Sequence, residues 1–151
     1  MPTVFIKLGF DDKVLCEKSF RNIYLNGVLV GFNLGIHLNY YRGLHVSCIE
    51  KIEVKVDGEV LPKQLYLFCI NGKKFSISQL KDLYAEFWGI KKTANLEIYN
   101  NGLPEGEHEV ELTLHFRSPY MKFAPRIYGT IDSSSRKRMT LISNKEEVHI
   151  Q

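Results

Sequence analysis

The side chains of this sequence that could do chemistry are few, and their spacing argues against a self-contained catalytic centre. Five histidines stand at positions 37, 45, 108, 115 and 149. None forms a helical HxxxH pair, and no two sit at i, i+2 on a strand beside a carboxylate, so the usual spacings of a zinc-type site are missing. Glu107-His108-Glu109 places three ligand types in a row. Adjacent residues of a strand point to opposite faces, however, so the three cannot converge without a bulge, and a solvated strand entrance is expected there. Glu109 and Glu111 share one strand face and raise the paired carboxylates of a glycoside hydrolase, but read as solvated edge charges. Neither a nucleophile elbow nor a phosphate-binding glycine loop occurs. Cys48 and Cys69 lie in apolar strand contexts, where thiols are usually inert packing.

Two polar-aromatic groups remain. The first is Tyr40, Tyr41, Arg42 and His45 around Gly43. The second is Ser118-Pro119-Tyr120-Met121, with Arg126 and Tyr128 further along. Tyrosine and arginine are enriched where proteins bury surface against a partner, because both combine contact area with hydrogen-bonding tips. Both groups are therefore expected to touch a partner or substrate; the alternative is a pair of loops that only cover the ends of the fold.

The elements that would position these groups are mostly strands. The first group runs directly into residues 49–60, where Ile52, Val54 and Val56 alternate with Glu53 and Lys55, the period of a half-buried strand. Asp57-Gly58 then favours a tight hairpin turn. Asn26-Gly27 and Asn71-Gly72 signal two further hairpins, between residues 20–24 and 28–30 and between 65–70 and 73–77. Alternation also marks 32–40 and 94–98. The cleanest strand holds Val110, Leu112, Leu114 and Phe116 on one face and Glu109, Glu111, Thr113, His115 and Arg117 on the other. One short helix is expected after Ser78, from the helical spacing of Leu80, Leu83, Tyr84 and Phe87, with Gly89 closing it. That apolar stripe should be core, and Trp88, at the helix end, could be core as well. Residues 118–135, with two prolines and three successive serines, read as a long irregular segment, and 139–142 as a closing strand. The expected fold is mainly β: an antiparallel β-sandwich with one short helix, in a single domain over 1–151, with 1–18 an extended arm and 143–151 a polar tail.

The totals fit that reading. With 151 residues, 44% hydrophobic and 25% charged, the chain has an ordinary globular composition and can bury about 68–70% of its unfolded surface. The net charge of +3 is spread along the sequence, so nucleic acid is not called for. The basic run Arg136-Lys137-Arg138 reads as a solvated loop. No apolar run approaches the ~20 residues of a membrane span, and no signal-peptide h-region is evident. Three cysteines, at 16, 48 and 69, form no CxxC pair and are expected as reduced thiols in a cytoplasmic protein.

The order of several short motifs is more specific than any one of them. F-R-N-I (20–23), G-F (31–32), Y-Y-R-G (40–43) and I-E-K-I-E-V-K-V-D-G-E (49–59) are followed by I-N-G-K-K-F (70–75) and L-K-D-L-Y-A-E-F-W (80–88). P-E-G-E-H-E-V-E-L-T-L (104–114) and S-P-Y-M (118–121) complete the series. Over residues 18–142 this resembles the small, or beta, subunit of bacterial C-glycoside deglycosidases. The resemblance implies a two-subunit lyase in which a large alpha subunit of (β/α) barrel type carries a divalent metal, often manganese, and the general base. The implied substrate is a 3-oxo C-glucoside of a flavonoid or related phenol, and the implied beta subunit is a β-sandwich that assembles on the barrel. No position here matches a catalytic residue of the family, so neither a catalytic residue nor a metal is expected in this chain. The competing readings are a free-standing carbohydrate or polyphenol binder, stacking its ligand on Tyr40, Tyr41 and Trp88, and a self-sufficient hydrolase.

Overall fold

Three two-residue turns fold the chain back on itself. Asn26-Gly27, Asp57-Gly58 and Asn71-Gly72 hold φ at 52° and 80°, 51° and 86°, and 53° and 76°. Positive φ at both positions is the mark of a type I′ turn, whose twist matches that of the strands it joins. The computed structural model describes the backbone of residues 4–7, 13–38, 40, 42–124 and 127–141, and the side chains of 13–38, 40, 42–118 and 129–141. Along these residues run β1 (Val4–Lys7), β2 (Leu15–Leu25), β3 (Val28–His37), β4 (Leu44–His45), β5 (Ile49–Val56), β6 (Glu59–Val60) and β7 (Tyr66–Ile70). They are followed by β8 (Lys73–Ser76), β9 (Phe87–Trp88), β10 (Thr93–Ile98), β11 (Gly106–Ala124), β12 (Ile127–Asp132) and β13 (Ser135–Leu141).

Two large sheets take eleven of these strands, and β4 and β9 pair as a separate two-stranded ribbon. One has the order β1-β12-β11-β5-β6, with β13 also paired to β11; the other has the order β2-β3-β10-β7-β8. The long β11 spans both halves of the first sheet. Its 110–116 stretch pairs with β5, its 106–112 stretch with β13, and its later residues with β12. Inward residues of both sheets form one core, in which Phe20, Phe32, Leu34, Ile36, Phe68 and Leu96 face Val54, Leu112, Leu114, Phe116 and Ile131. Tyr66 ties the two sheets together with a buried hydroxyl, which accepts the Val54 N–H at 2.8 Å and donates to the Leu61 carbonyl at 2.7 Å. Burial raises the pKa of that phenol, which keeps it a donor.

The mainly β, sandwich-type expectation holds, with four corrections. The pairing of β1 with β12 is parallel. Residues 118–135 are mostly strand where they are described: β11 continues to Ala124 and β12 runs over Ile127–Asp132, with register shifts in their pairing after Ser118 and Lys122. The run of serines is a local break, in which Ser133 N–H donates to Leu114 O (2.8 Å) and Ser134 Oγ accepts the Leu114 N–H (3.0 Å). Arg136-Lys137-Arg138 lies on β13, not in a loop, where Arg136 ion-pairs with Glu109 across the strands. Finally, the short helix is a 3-10 turn, Ile77–Asp82, set by Ser76 N–H donating to Gln79 Oε1 at 2.7 Å. It stops because the next residues are claimed from elsewhere. Leu83 O accepts from Ser47 N–H (3.3 Å) and Glu86 O from Val46 N–H (2.9 Å), and β9 pairs with β4. An isolated helix of that length is marginal in water, so non-local pairing that buries Trp88 completely prevails.

Candidate functional site

The β4–β9 ribbon is built from two segments some forty residues apart in sequence. Leu44 pairs with Trp88 and His45 with Phe87. Alternation sends Leu44 and Trp88 inward and His45 and Phe87 outward. Inside, Trp88 packs edge-on against Phe68 at 5.7 Å and donates its indole N–H to Lys92 O at 2.9 Å. Outside, the His45 and Phe87 rings meet edge-on at 5.2 Å. Gly43 makes this close approach possible: a Cβ there would stand 2.6 Å from Trp88 O and 2.7 Å from the Phe87 ring. Asn71 donates to Glu86 Oε2 (2.8 Å) and Phe87 O (3.0 Å), and Lys73 pairs with Glu86 at 3.1 Å. The Asn71 bond first, and then Lys73, hold the Glu86 carboxyl below its ordinary pKa.

On the outer side of the ribbon Phe87 is 44% exposed and His45 is exposed against it; Arg42, next to Gly43, is exposed too, and along the chain Tyr84 and Ile90 are 70% and 44% exposed. Of the residues expected to touch a partner, the structure therefore exposes Arg42 and His45. It places Tyr40 and Ser118 elsewhere. Tyr40 is buried, its ring edge-on to Phe116 at 5.3 Å and its hydroxyl 2.6 Å from Ser118 Oγ, and Ser118 is wholly buried. The two predicted groups thus meet, but inside the core. Tyr41 and Arg126 lie outside the described residues. Tyr120 and Tyr128 fall in β11 and β12, with side chains outside the description.

Sequence reasoning missed Tyr84 and Phe87 as surface residues because helical spacing assigned them to the core; in fact Leu80 is buried and Leu83 packs against the core. It also missed His108. Far from being solvated, this ring is buried, with Nδ1 donating to Asp57 Oδ2 at 2.6 Å and Nε2 2.7 Å from Pro104 O. Glu107 and Glu109 point the other way, toward Arg138 and Arg136. Among the described residues, no three His, Cys, Asp or Glu side chains converge as a metal site would require. Cys16, Cys48 and Cys69 are free thiols, and no described helix is long and apolar enough to cross a membrane.

The chain is thus a mainly β, two-sheet sandwich that carries an aromatic, solvent-facing ribbon. This chain belongs to the C-glycoside deglycosidase beta subunit family, whose family model matches residues 10–120. It is 31% identical over 113 residues to a C-glycoside deglycosidase beta subunit of Eubacterium cellulosolvens, covering 74% of this chain and 77% of that one. It is 27% identical over 100 residues to a protein of the same name from Arthrobacter globiformis, covering 65% and 76%. A 3'-dehydrocarminate deglycosidase beta subunit from a Microbacterium species is 26% identical over 102 residues, covering 68% and 77%.

Proposed function

We propose that this chain is the non-catalytic small subunit of a heteromeric carbon–carbon lyase that cleaves the sugar–aryl bond of 3-oxo C-glucosides of flavonoids and related phenols. One observation carries the reading, the family match over residues 10–120. In the reaction, the 3-keto group acidifies the C2 proton of the sugar. Loss of that proton makes the C1–C2 double bond as the C1–aryl bond breaks, and the aryl carbon takes up a proton. The general base and a divalent metal, manganese, belong to a barrel-type large subunit; the residues described here offer no ligand set for the metal, and no step is assigned to this chain. Its part is to assemble on the barrel as a hetero-oligomer and to shape the substrate entrance, with Arg42 and His45 on the contacting side. Free cysteines support a cytoplasmic setting. The free-standing binder is less well supported, since Tyr40 and Trp88, two of its three stacking platforms, are buried.

The test is reconstitution. The small subunit alone should leave a 3-oxo C-glucoside intact, and mixing it with the large subunit should release the free phenol. Turnover by highly purified small subunit that persists after chelation overturns the proposal.

A further inference from the structure

An open depression of about 230 Å³ lies between the start of β5, the short 3-10 turn Lys63–Leu65 and the 3-10 turn Ile77–Asp82. Two kinds of side chain line it. Ile49, Ile52 and Leu80 are buried members of the core and supply apolar surface. Lys51, Lys63 and Lys81, one from each of the three elements, are exposed. Among the described residues no acid pairs with any of these lysines. The one carboxylate of the lining, Glu50, is engaged elsewhere. Its Oε1 accepts from Thr130 Oγ1 at 3.3 Å, and its Oε2 lies 3.9 Å from Arg117 Nη1.

The local cause is a bulge at the start of β5. Lys51 pairs with His115 and Ile49 with Phe116, which leaves Glu50 as an extra residue on β5. A bulge re-aims the side chains around it, and here the chain neighbours Glu50 and Lys51 are both exposed. A cleft lined by one sign of charge over low-dielectric walls focuses its field and concentrates counter-ions. Lysine offers that charge as a point on a flexible stem. As for size, an apolar cavity of about 150 Å³ takes up a benzene ring, so this volume suits one ring with a small charged head.

We infer that this depression binds a small organic anion, a single ring or short aliphatic body bearing a carboxylate. The body lies against Ile52 and Leu80, and the carboxylate sits among the three lysines. The site does not rest on the subunit reading above.

The experiment is an NMR titration of the full chain with benzoate, following the backbone amides of Ile52, Lys63, Ser78 and Leu80. Saturable shifts are expected at these amides, weakening as salt is raised. Benzamide has the ring without the charge and acetate the charge without the ring; each should bind roughly fivefold more weakly or worse. The triple variant Lys51→Ala, Lys63→Ala, Lys81→Ala should raise the Kd for benzoate roughly tenfold. Lys91→Ala, which removes an exposed lysine outside the lining, should leave it unchanged. Circular dichroism checks that each variant is folded, and the ligand series decides the matter without any variant. Benzoate shifts that do not saturate, or that persist in the folded triple variant, overturn the site. Benzamide or acetate binding as tightly as benzoate overturns the class of ligand. Shifts at the same amides that follow protein concentration without ligand assign the depression to a second copy and overturn the inference.

Discussion

Single side chains in this protein do three different jobs that look alike on paper. Tyr40 and Tyr66 are both buried phenols, but Tyr66 closes a bond between sheets. Tyr66→Phe leaves the Val54 N–H and the Leu61 carbonyl without their partner and should cost about 1–3 kcal/mol, read as a lower urea midpoint. Arg42 instead is exposed on the ribbon side. Its guanidinium suits a forked bond to a carboxylate across an interface, so Arg42→Ala should weaken assembly by about 2 kcal/mol with the fold unchanged. Glu111→Ala, on the outer face of β11, serves as the control in the same titration. Asp57 makes a third case. Its carboxyl is held below the ordinary value of 3.8 by the Glu109 N–H and then by His108. A depressed folded pKa means that the carboxylate stabilises the fold fully above the ordinary range and loses that contribution as pH falls through the depressed value. Asp57→Asn keeps an Asx-Gly turn, so the expected result is a shallower fall in urea midpoint as pH drops below about 4. An acid limb identical to wild type would show that the contact is without effect.

At the level of elements, the β4–β9 ribbon has little tolerance for change. It has two residues on each side, and its outer ring sits directly over a glycine. Gly43→Ala pushes a methyl against a backbone carbonyl and an aromatic ring at once. Overpacking of this kind typically costs about 1–3 kcal/mol, and here the strain falls on Trp88, the chain's single tryptophan. A red-shifted, more quenchable emission together with a lowered melting temperature is expected; a wild-type spectrum would mean that the ribbon is not the rigid platform described. The hairpins are more forgiving, since a Cβ at Gly27, Gly58 or Gly72 would meet nothing, and only their positive φ resists substitution.

Taken as a whole, the molecule is one core between two sheets, with thiols distributed through it and no bridge among them. Denatured protein should titrate three thiols, while in the native state Cys48 and Cys69 should react slowly. Burial raises the pKa of both, that of Cys69 to about 11, leaving little thiolate at neutral pH. Finding a single thiol in denaturant would indicate a disulfide and argue against a reducing compartment.

What the sequence by itself determined is everything that depends on near neighbours. Period-two alternation at 52–56, 94–98 and 110–116 and the Asx-Gly pairs at 26, 57 and 71 specify strands and their turns, because side-chain alternation and left-handed backbone are local properties. The order of short motifs identified the family for the same reason, being written in the chain itself. Tertiary structure alone decided which face of each loop is inside. Tyr40 has the same chemistry whether it meets a partner or Ser118, and only the approach of β11 buries it. Tyr84 and Phe87 keep helical spacing, yet the pairing of Phe87-Trp88 with Leu44-His45 unwinds that pattern and turns Phe87 outward. His108 lies between two acids in sequence but points inward to Asp57, a residue fifty-one positions away. In each case the deciding contact is distant along the chain, and no local pattern encodes it.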